Sequence, residues 1–141
     1  MRIKARFADD IAIVSLSGKF LAGSDGPYLR QKVKDLIDAG TRKLIVDFSE
    51  VPYIDSTGLG FLAGARVTAQ NAGTRMVLAN LNRHVRRILD EVKLSQFFLI
   101  APDEAAAMAK VNEADPLVPG APSDAAKGPR GKKRSLNPSA S

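Results

Sequence analysis

The sequence predicts a single α/β domain with a mixed β-sheet of four or five strands and about four helices. Its length of 141 residues suits one domain, at roughly 100 to 200 residues per domain, and leaves no room for a two-domain enzyme. Short β-branched runs alternate with amphipathic segments of helical period, which is typical of α/β domains. Hydrophobic residues make up 45% of the chain and aromatic residues 6%, so the predicted core is large and mainly aliphatic.

The chain is expected to open with a β-hairpin and a helix. Alternate residues are apolar in residues 3–7, residues 11–16 are rich in β-branched side chains, and residues 9–10 suit a tight turn. The turn-forming residues 23–27 then favour the start of a helix that ends at Gly40. The apolar stripe of this helix consists of Leu29, Val33, Leu36 and Ile37.

The middle of the chain predicts a buried strand, a helix and another strand. Residues 44–48 are apolar almost without interruption, which favours a central parallel strand covered on both faces. A helix is predicted over residues 57–72, with Gly73 as its stop and residues 75–79 as the next strand. The side chains expected to face inward from this helix are Leu59, Leu62 and Ala69.

A helix, a short strand and a last helix complete the predicted domain. Asn82 is expected to cap a helix, residues 97–100 to form a short strand, and residues 102–104 to begin an alanine-rich helix that ends near Val111. The predicted inner stripe of the capped helix consists of Val85, Ile88, Leu89 and Val92.

The net charge of +6 is unevenly distributed along the chain. Residues 114–141 hold five basic and two acidic residues, a net +3, among many Pro, Gly, Ala and Ser residues. Such a segment buries too little apolar surface to offset the entropy of ordering it. We therefore expect a domain over residues 1–112 and a disordered basic tail over residues 113–141. The small remaining charge on the domain favours neither direct nucleic-acid binding nor membrane binding.

Composition argues against metal, cofactor and secretory functions. The chain has no Cys and a single His, so it offers no disulfide, thiolate or multi-histidine metal site. It has no run of about 18 apolar residues, and its N-terminus leads directly into alternating sequence. We expect a soluble cytoplasmic protein without a metal or cofactor.

The glycines and polar residues give little support for an enzymatic function. The spacing Gly58-x-Gly60-x-x-x-Gly64 does not follow the first strand, as a dinucleotide-binding turn requires. Ser56 lacks a general base, because His84 lies among Arg83, Arg86 and Arg87 on a helix. The acidic residues Asp47, Glu50 and Asp55 come without a second set of metal ligands. The sequence predicts a binding protein rather than an enzyme.

Residues 55–60, Asp-Ser-Thr-Gly-Leu-Gly, carry the main functional signal. Two glycines in the first turns of a helix each cost up to about 1 kcal/mol relative to Ala, which is tolerated where a backbone must stay accessible. Asp55 and Ser56 are adjacent candidate N-caps, and a phosphate on Ser56 would be favoured by the helix dipole and free N–H groups. An ordinary cap with packed glycines explains the spacing equally well.

This segment resembles the signature of the STAS domain of bacterial anti-sigma factor antagonists, and the similarity extends over residues 1 to about 112. It includes residues 44–52 before the motif and the helix 29–37. It also includes Gly18, Asn71-Ala72-Gly73, Leu78-Ala79-Asn80 and residues 85–94. The resemblance implies that an anti-sigma factor serine kinase, related to histidine-kinase ATPase domains, phosphorylates Ser56.

In that family the unphosphorylated antagonist binds the kinase and releases the sigma factor, and a serine phosphatase reverses the modification. The resemblance therefore implies a partner-switching regulator of transcription, as in stress responses. The expected partner-binding residues are Asp55, Ser56, Thr57, Gly58, Leu59, Gly60, Ser24 and Asp25. The alternative on the same fold is a scaffold, or a subunit of a lipid or anion transporter, that is never phosphorylated.

Overall fold

A computed structural model describes residues 2–18 and 26–113 of the chain. These ranges contain five strands and four helices, as the sequence predicts. In chain order they are β1 (Arg2–Ala8), β2 (Ile11–Ser17), α1 (Gly26–Asp38), β3 (Lys43–Glu50), α2 (Ser56–Asn71), β4 (Arg75–Ala79), α3 (Arg83–Glu91), β5 (Leu99–Ala101) and α4 (Glu104–Val111).

The strands form one mixed sheet in the order β1-β2-β3-β4-β5. β1 is antiparallel to β2, and the other neighbouring strands are parallel. Val46 of β3 is paired with Val14 of β2 on one side and with Leu78 of β4 on the other. The carboxyl ends of the three central strands therefore lie along one edge of the sheet, where α2 and α3 also begin.

Two apolar clusters cover the two faces of the sheet. The larger cluster joins α1, α2 and α3 to the sheet, and the smaller one packs α4 against the opposite face. Leu44, Ile45 and Val46 are 0% exposed, so β3 is covered on both faces as predicted. This packing holds α2 firmly against the sheet along its inner face.

Glycines in the left-handed region end the first two helices where the sequence predicts. Gly40 has φ +101° after α1, and Gly73 has φ +77° after α2. Gly26, the first residue of α1, is a close-packing position instead. A Cβ atom added there would lie 2.3 Å from Cγ of Phe61 on α2, so the two helices can approach closely only with a glycine at this place.

Some predicted boundaries and one predicted inward side chain differ from the structure. The last strand is β5 rather than residues 97–100, because the amide groups of Phe97 and Phe98 donate to the Leu94 carbonyl in a turn, at 3.0 and 3.3 Å. α2 begins at Ser56, one residue earlier than predicted, and it ends one residue earlier. Val92 is 41% exposed rather than part of the inner stripe, because α3 ends at Glu91 and Val92 is its C-cap.

The predicted loop residues Ser24 and Asp25 lie outside the described residues, as does the tail beyond Glu113. The domain boundary at residue 112 therefore stays a prediction. Within the described part of the chain, no helix combines the length and the apolar character needed to cross a bilayer.

Candidate functional site

Asp55 caps α2 and places Ser56 as its first residue. The Asp55 backbone is extended, with φ −89° and ψ 166°, and its Oδ1 accepts a hydrogen bond from the Gly58 N–H at 2.5 Å. Of the two candidate caps, the structure selects Asp55. Ser56 is exposed, while Asp55 is half-buried beside it. The serine hydroxyl therefore lies on the surface at the positive end of the α2 dipole.

The loop before Asp55 is anchored in the core. Val51 is 1% exposed and Ile54 is 0% exposed, and the Val51 N–H donates to the Phe48 carbonyl at 3.0 Å. Ile54 and Leu59, which directly precede and follow the capped turn, belong to the same apolar cluster. This is the arrangement of a hydrophobic staple, which fixes the angle at which a chain enters a helix. Buried residues before and after Ser56 thus fix its position.

Asn82 ties the beginning of α3 to the same loop. Its Oδ1 accepts from the Val85 N–H at 2.8 Å, as predicted for a helix cap. Its Nδ2 also donates to the carbonyl oxygens of Val51 at 3.1 Å and Pro52 at 3.3 Å. The sequence gives no sign of this second role, because it depends on a loop about 30 residues away. The N-termini of α2 and α3 are thereby held together at one edge of the sheet.

Asp47 in β3, which is paired with Ala79 at the end of β4, serves the fold at this edge. Its Oδ1 accepts from the Ser49 N–H and from Asn80 Nδ2, both at 2.9 Å. Asn80 follows β4 with φ +62°, a left-handed conformation that Asn adopts more readily than most residues. This network fixes the chain where it leaves two adjacent strands. In residues 2–18 and 26–113, no group of three or more His, Cys, Asp or Glu side chains is placed to hold a metal ion.

The two glycines of the motif occupy opposite environments. Gly58 is buried and Gly60 is exposed, so the packing explanation fits the first and the accessibility explanation fits the second. Around Gly60 and Gly64, no described atom other than the adjacent residues and the nearby backbone of α2 lies within 4 Å of where a Cβ atom would be. Gly64 lies one turn further along α2. Together Gly60 and Gly64 leave part of the α2 surface bare.

A shallow groove follows this bare surface. It has a volume of about 280 Å³ and lies between α1 and α2. Its lining consists of Arg30, Thr57, Gly60, Phe61 and Gly64. Of the residues predicted to bind a partner, Ser56, Thr57 and Gly60 are exposed and Asp55 is half-buried, whereas Gly58 is buried and Leu59 is only 1% exposed. A partner could contact the first three directly, but it could not reach the Leu59 side chain.

The structure gives two further residues, His84 and Arg66, roles that the sequence does not predict. The exposed His84 ring stacks on Tyr53, with 5.1 Å between ring centroids, so it is more than a solvated surface group. Arg66 on α2 is fully buried, and its Nε donates to the Phe97 carbonyl at 3.2 Å. The inward stripe of α2 at helical spacing passes through position 66, and this spacing was the signal that could have identified Arg66 as buried.

Comparison with known proteins agrees with this fold. Residues 2–107 match the STAS domain family. An anti-sigma-B factor antagonist from Listeria monocytogenes is 33% identical over 104 residues, which cover 71% of this chain and 86% of the relative. The chain belongs to the STAS-domain family of anti-sigma factor antagonists.

Solved structures share the fold at lower sequence identity. An anti-sigma factor antagonist from Mycobacterium paratuberculosis superposes with a TM-score of 0.70 at 21% identity, covering 79% of this chain and 94% of that one. The Bacillus cell fate determinant SpoIIAA in its phosphorylated form superposes with a TM-score of 0.60 at 20% identity, covering 78% of this chain and 99% of SpoIIAA. At these identities the likeness describes the fold alone.

Proposed function

We propose that this chain binds an anti-sigma factor serine kinase and is switched off by phosphorylation of Ser56. The observation that carries the proposal is the exposed Ser56 at the first position of α2, next to the cap Asp55 and the bare surface of Gly60. The names of its bacterial relatives supply the class of partner. The phosphorylated form of SpoIIAA, which has the same fold, supports phosphorylation as the signal.

The bare surface suits the approach of a kinase active site. Gly60 lies one helical turn after Ser56, and side chains on a helix lean toward its N-terminus. Any side chain at position 60 would therefore extend toward the serine. The unphosphorylated chain would use Ser56, Thr57 and the adjoining groove as its contact surface, with Ser24 and Asp25 as further proposed contacts.

Phosphorylation would convert this contact surface from neutral to strongly negative. A phosphate adds a charge of about −1.5 to −2 at pH 7, next to the carboxylate of Asp55. A partner that buried the neutral hydroxyl would then have to desolvate a dianion. Losing about 2.7 kcal/mol of binding free energy would weaken the complex roughly a hundredfold. The helix N-terminus can accommodate the phosphate, so the domain need not unfold.

The cycle that follows is one of regulated release. The unphosphorylated chain occupies the kinase and frees a sigma factor, and a serine phosphatase restores the chain after each round. In this proposal the chain is a cytoplasmic binding switch. It performs no catalysis and contacts neither nucleic acid nor membrane directly.

The decisive experiment is phosphosite mapping by mass spectrometry. The purified chain is incubated with ATP and, in turn, each purified serine-kinase anti-sigma factor from the genome that encodes it. We expect one phosphoryl group on Ser56, retained in the control variant Thr57→Ala and absent in Ser56→Ala. Ser56→Ala should stay bound to the kinase in the presence of ATP. Ser56→Asp should release it incompletely, since a carboxylate carries less charge than a phosphate.

An unmodified Ser56 with active kinases would contradict the proposal. So would a Ser56→Ala variant that leaves the kinase as quickly as the wild type does in ATP. Stable copurification with a membrane transporter would then favour the scaffold or transporter-subunit function on the same fold.

A further inference from the structure

The exposed side of α3 concentrates positive charge. Arg83, His84, Arg86 and Arg87 lie within the first five residues of the helix, and all four are exposed. We refer to these four residues as the basic α3 surface. The inner side of the same turns is occupied by Val85, which is 0% exposed. The three arginine side chains are therefore presented to solvent by a helix that is fixed to the core.

Helix stability does not account for this arrangement. The first turn of α3 contains no acidic residue, and Arg83 stands directly after the cap, where the positive end of the helix dipole disfavours a cation. Arg86 has an ion pair with Asp90 at 3.5 Å, and both side chains are more than half exposed. Within the described part of the chain, no ion pair involves Arg83 or Arg87. The charges are better explained by something outside the domain.

The basic α3 surface is continuous with the surface around Ser56. β3 and β4 are adjacent parallel strands, so the helices that follow them begin at the same edge of the sheet. Asn82 bonds to the loop that leads to Ser56, and His84 stacks on Tyr53 of that loop. Tyr53 is 37% exposed and so forms part of the surface between the two regions. A protein covering Ser56 could also cover the basic α3 surface.

We propose that the basic α3 surface binds an acidic surface on the kinase that phosphorylates Ser56. This inference rests on the proposed function and adds a second contact region to it. A protein partner fits better than a polyanion, because the patch is small and is followed on α3 by Asp90 and Glu91. Nucleic-acid binding depends on many phosphate contacts, which three arginines on one short helix do not supply.

Such a contact would also help to release the partner. A phosphate on Ser56 places about −1.5 to −2 charges at the sheet edge where the basic α3 surface begins. That charge would offset the attraction between the arginines and an acidic partner. The same modification would thus disturb the contact at Ser56 and weaken the neighbouring one.

Charge reversal tests this inference. The association rate of each purified kinase, held in ADP, is measured with the wild type and with Arg83→Glu/Arg87→Glu. We expect the double variant to associate about tenfold more slowly at about 50 mM salt, with the difference largely lost at about 300 mM. Its thermal midpoint should change little, because a glutamate suits position 83 in the first turn of α3, whereas a glutamate at position 87 lies four residues from position 83 and from Glu91. A purely structural role for the arginines predicts a clear fall in the midpoint and no salt-dependent change in the association rate.

Lys4→Glu/Lys110→Glu is the matched control. It makes the same change in net charge; Lys4 lies on the sheet face that α4 covers, and Lys110 lies on α4 itself. We expect its association rate to stay within about twofold of the wild type. Equal slowing by both double variants would show an effect of net charge alone and overturn the inference.

Other outcomes separate the two proposals. If a kinase binds all variants equally and phosphorylates Ser56 in each, the proposed function stands and the basic α3 surface has no part in it. If no kinase binds or modifies the wild type, both proposals are wrong. If the arginine variant loses binding to a short DNA duplex or to phosphatidylglycerol vesicles but keeps its kinase association rate, the surface serves a polyanion and the inference is wrong.

Discussion

The two faces of α2 differ in what their residues do for the fold. The inner face is continuous and buried, with Leu59, Leu62 and Ala69 at or below 1% exposure. The outer face begins with the exposed Ser56 and continues through Gly60, where a Cβ atom would contact no described residue outside the nearby part of α2. One helix therefore combines a face that suits core packing with a face whose residues are poor helix formers.

This difference separates stability from function along a single element. A glycine within a helix costs up to about 1 kcal/mol relative to Ala unless close packing requires it. On the inner face of α2, Gly58 is buried. On the outer face nothing among the described residues requires Gly60, and the proposed function explains this glycine by access of the kinase to Ser56. Mutations on the two faces should therefore change different measurements.

The largest stability effect is expected on the inner face, from Leu62→Ala. Leu62 is 0% exposed within the main apolar cluster, and truncating it removes packed atoms and leaves a cavity. We expect the free energy of unfolding to fall by about 2 to 5 kcal/mol, measured by urea denaturation. The control is Val67→Ala on the same helix, where the side chain is 41% exposed and the expected change is about 0.5 kcal/mol or less. Similar losses in both variants would contradict the division into two faces.

A smaller effect is expected at the boundary between the faces, from Asp55→Ala. This change removes the oxygen that accepts from the Gly58 N–H, and the loss of such a cap costs about 0.5 to 2 kcal/mol. Asp55→Asn keeps an acceptor oxygen and should cost much less, because Asn caps helices about as well as Asp does. The comparison is again made by urea denaturation. If Asp55→Asn lowered the free energy of unfolding as much as Asp55→Ala, the charge of Asp55 rather than its capping hydrogen bond would stabilise the helix.

The sequence predicts the elements of this fold well because their signals are local. The helical spacing of the α1 stripe, the glycine stops and the apolar run of β3 each act within a few residues, and the structure confirms them. The sequence motif also leads directly to Ser56 and to Asp55 as one of two possible caps. It cannot choose between the caps, since adjacent Asp and Ser residues satisfy the same local preference.

What the sequence leaves unresolved depends on contacts between distant residues. From the sequence, Asn82 is predicted only as a helix cap. Its hydrogen bonds to Val51 and Pro52 form only when two distant loops come together. Arg66 is charged, and charged residues usually lie on the surface. In the structure Arg66 is buried, and its Nε donates a hydrogen bond to the Phe97 carbonyl. Val92 continues the apolar spacing of α3, but the helix has already ended there. Periodicity gives the direction of a side chain only while the helix continues.

The smallest change in the free energy of unfolding is expected from Gly60→Ala. This variant also tests the difference between the two faces of α2 most directly. Because a Cβ at position 60 meets no described atom within 4 Å beyond its chain neighbours and the nearby backbone of α2, the substitution should raise the free energy of unfolding by up to about 1 kcal/mol. The added methyl group would lie one turn from Ser56, on the surface proposed to receive the kinase. We therefore expect slower phosphorylation of a more stable protein, measured as kcat/KM for the kinase and by urea denaturation.

Gly26→Ala provides the opposing control. The same methyl group added there would lie 2.3 Å from the Phe61 ring, so we expect a loss of about 1 to 3 kcal/mol from overpacking between α1 and α2. Opposite signs for the two variants would separate a glycine needed for packing from a glycine that leaves a surface open. If Gly60→Ala gained stability while kcat/KM stayed at the wild-type value, the bare face of α2 would not be part of the contact, and recognition of Ser56 would have to depend on the surfaces beside it.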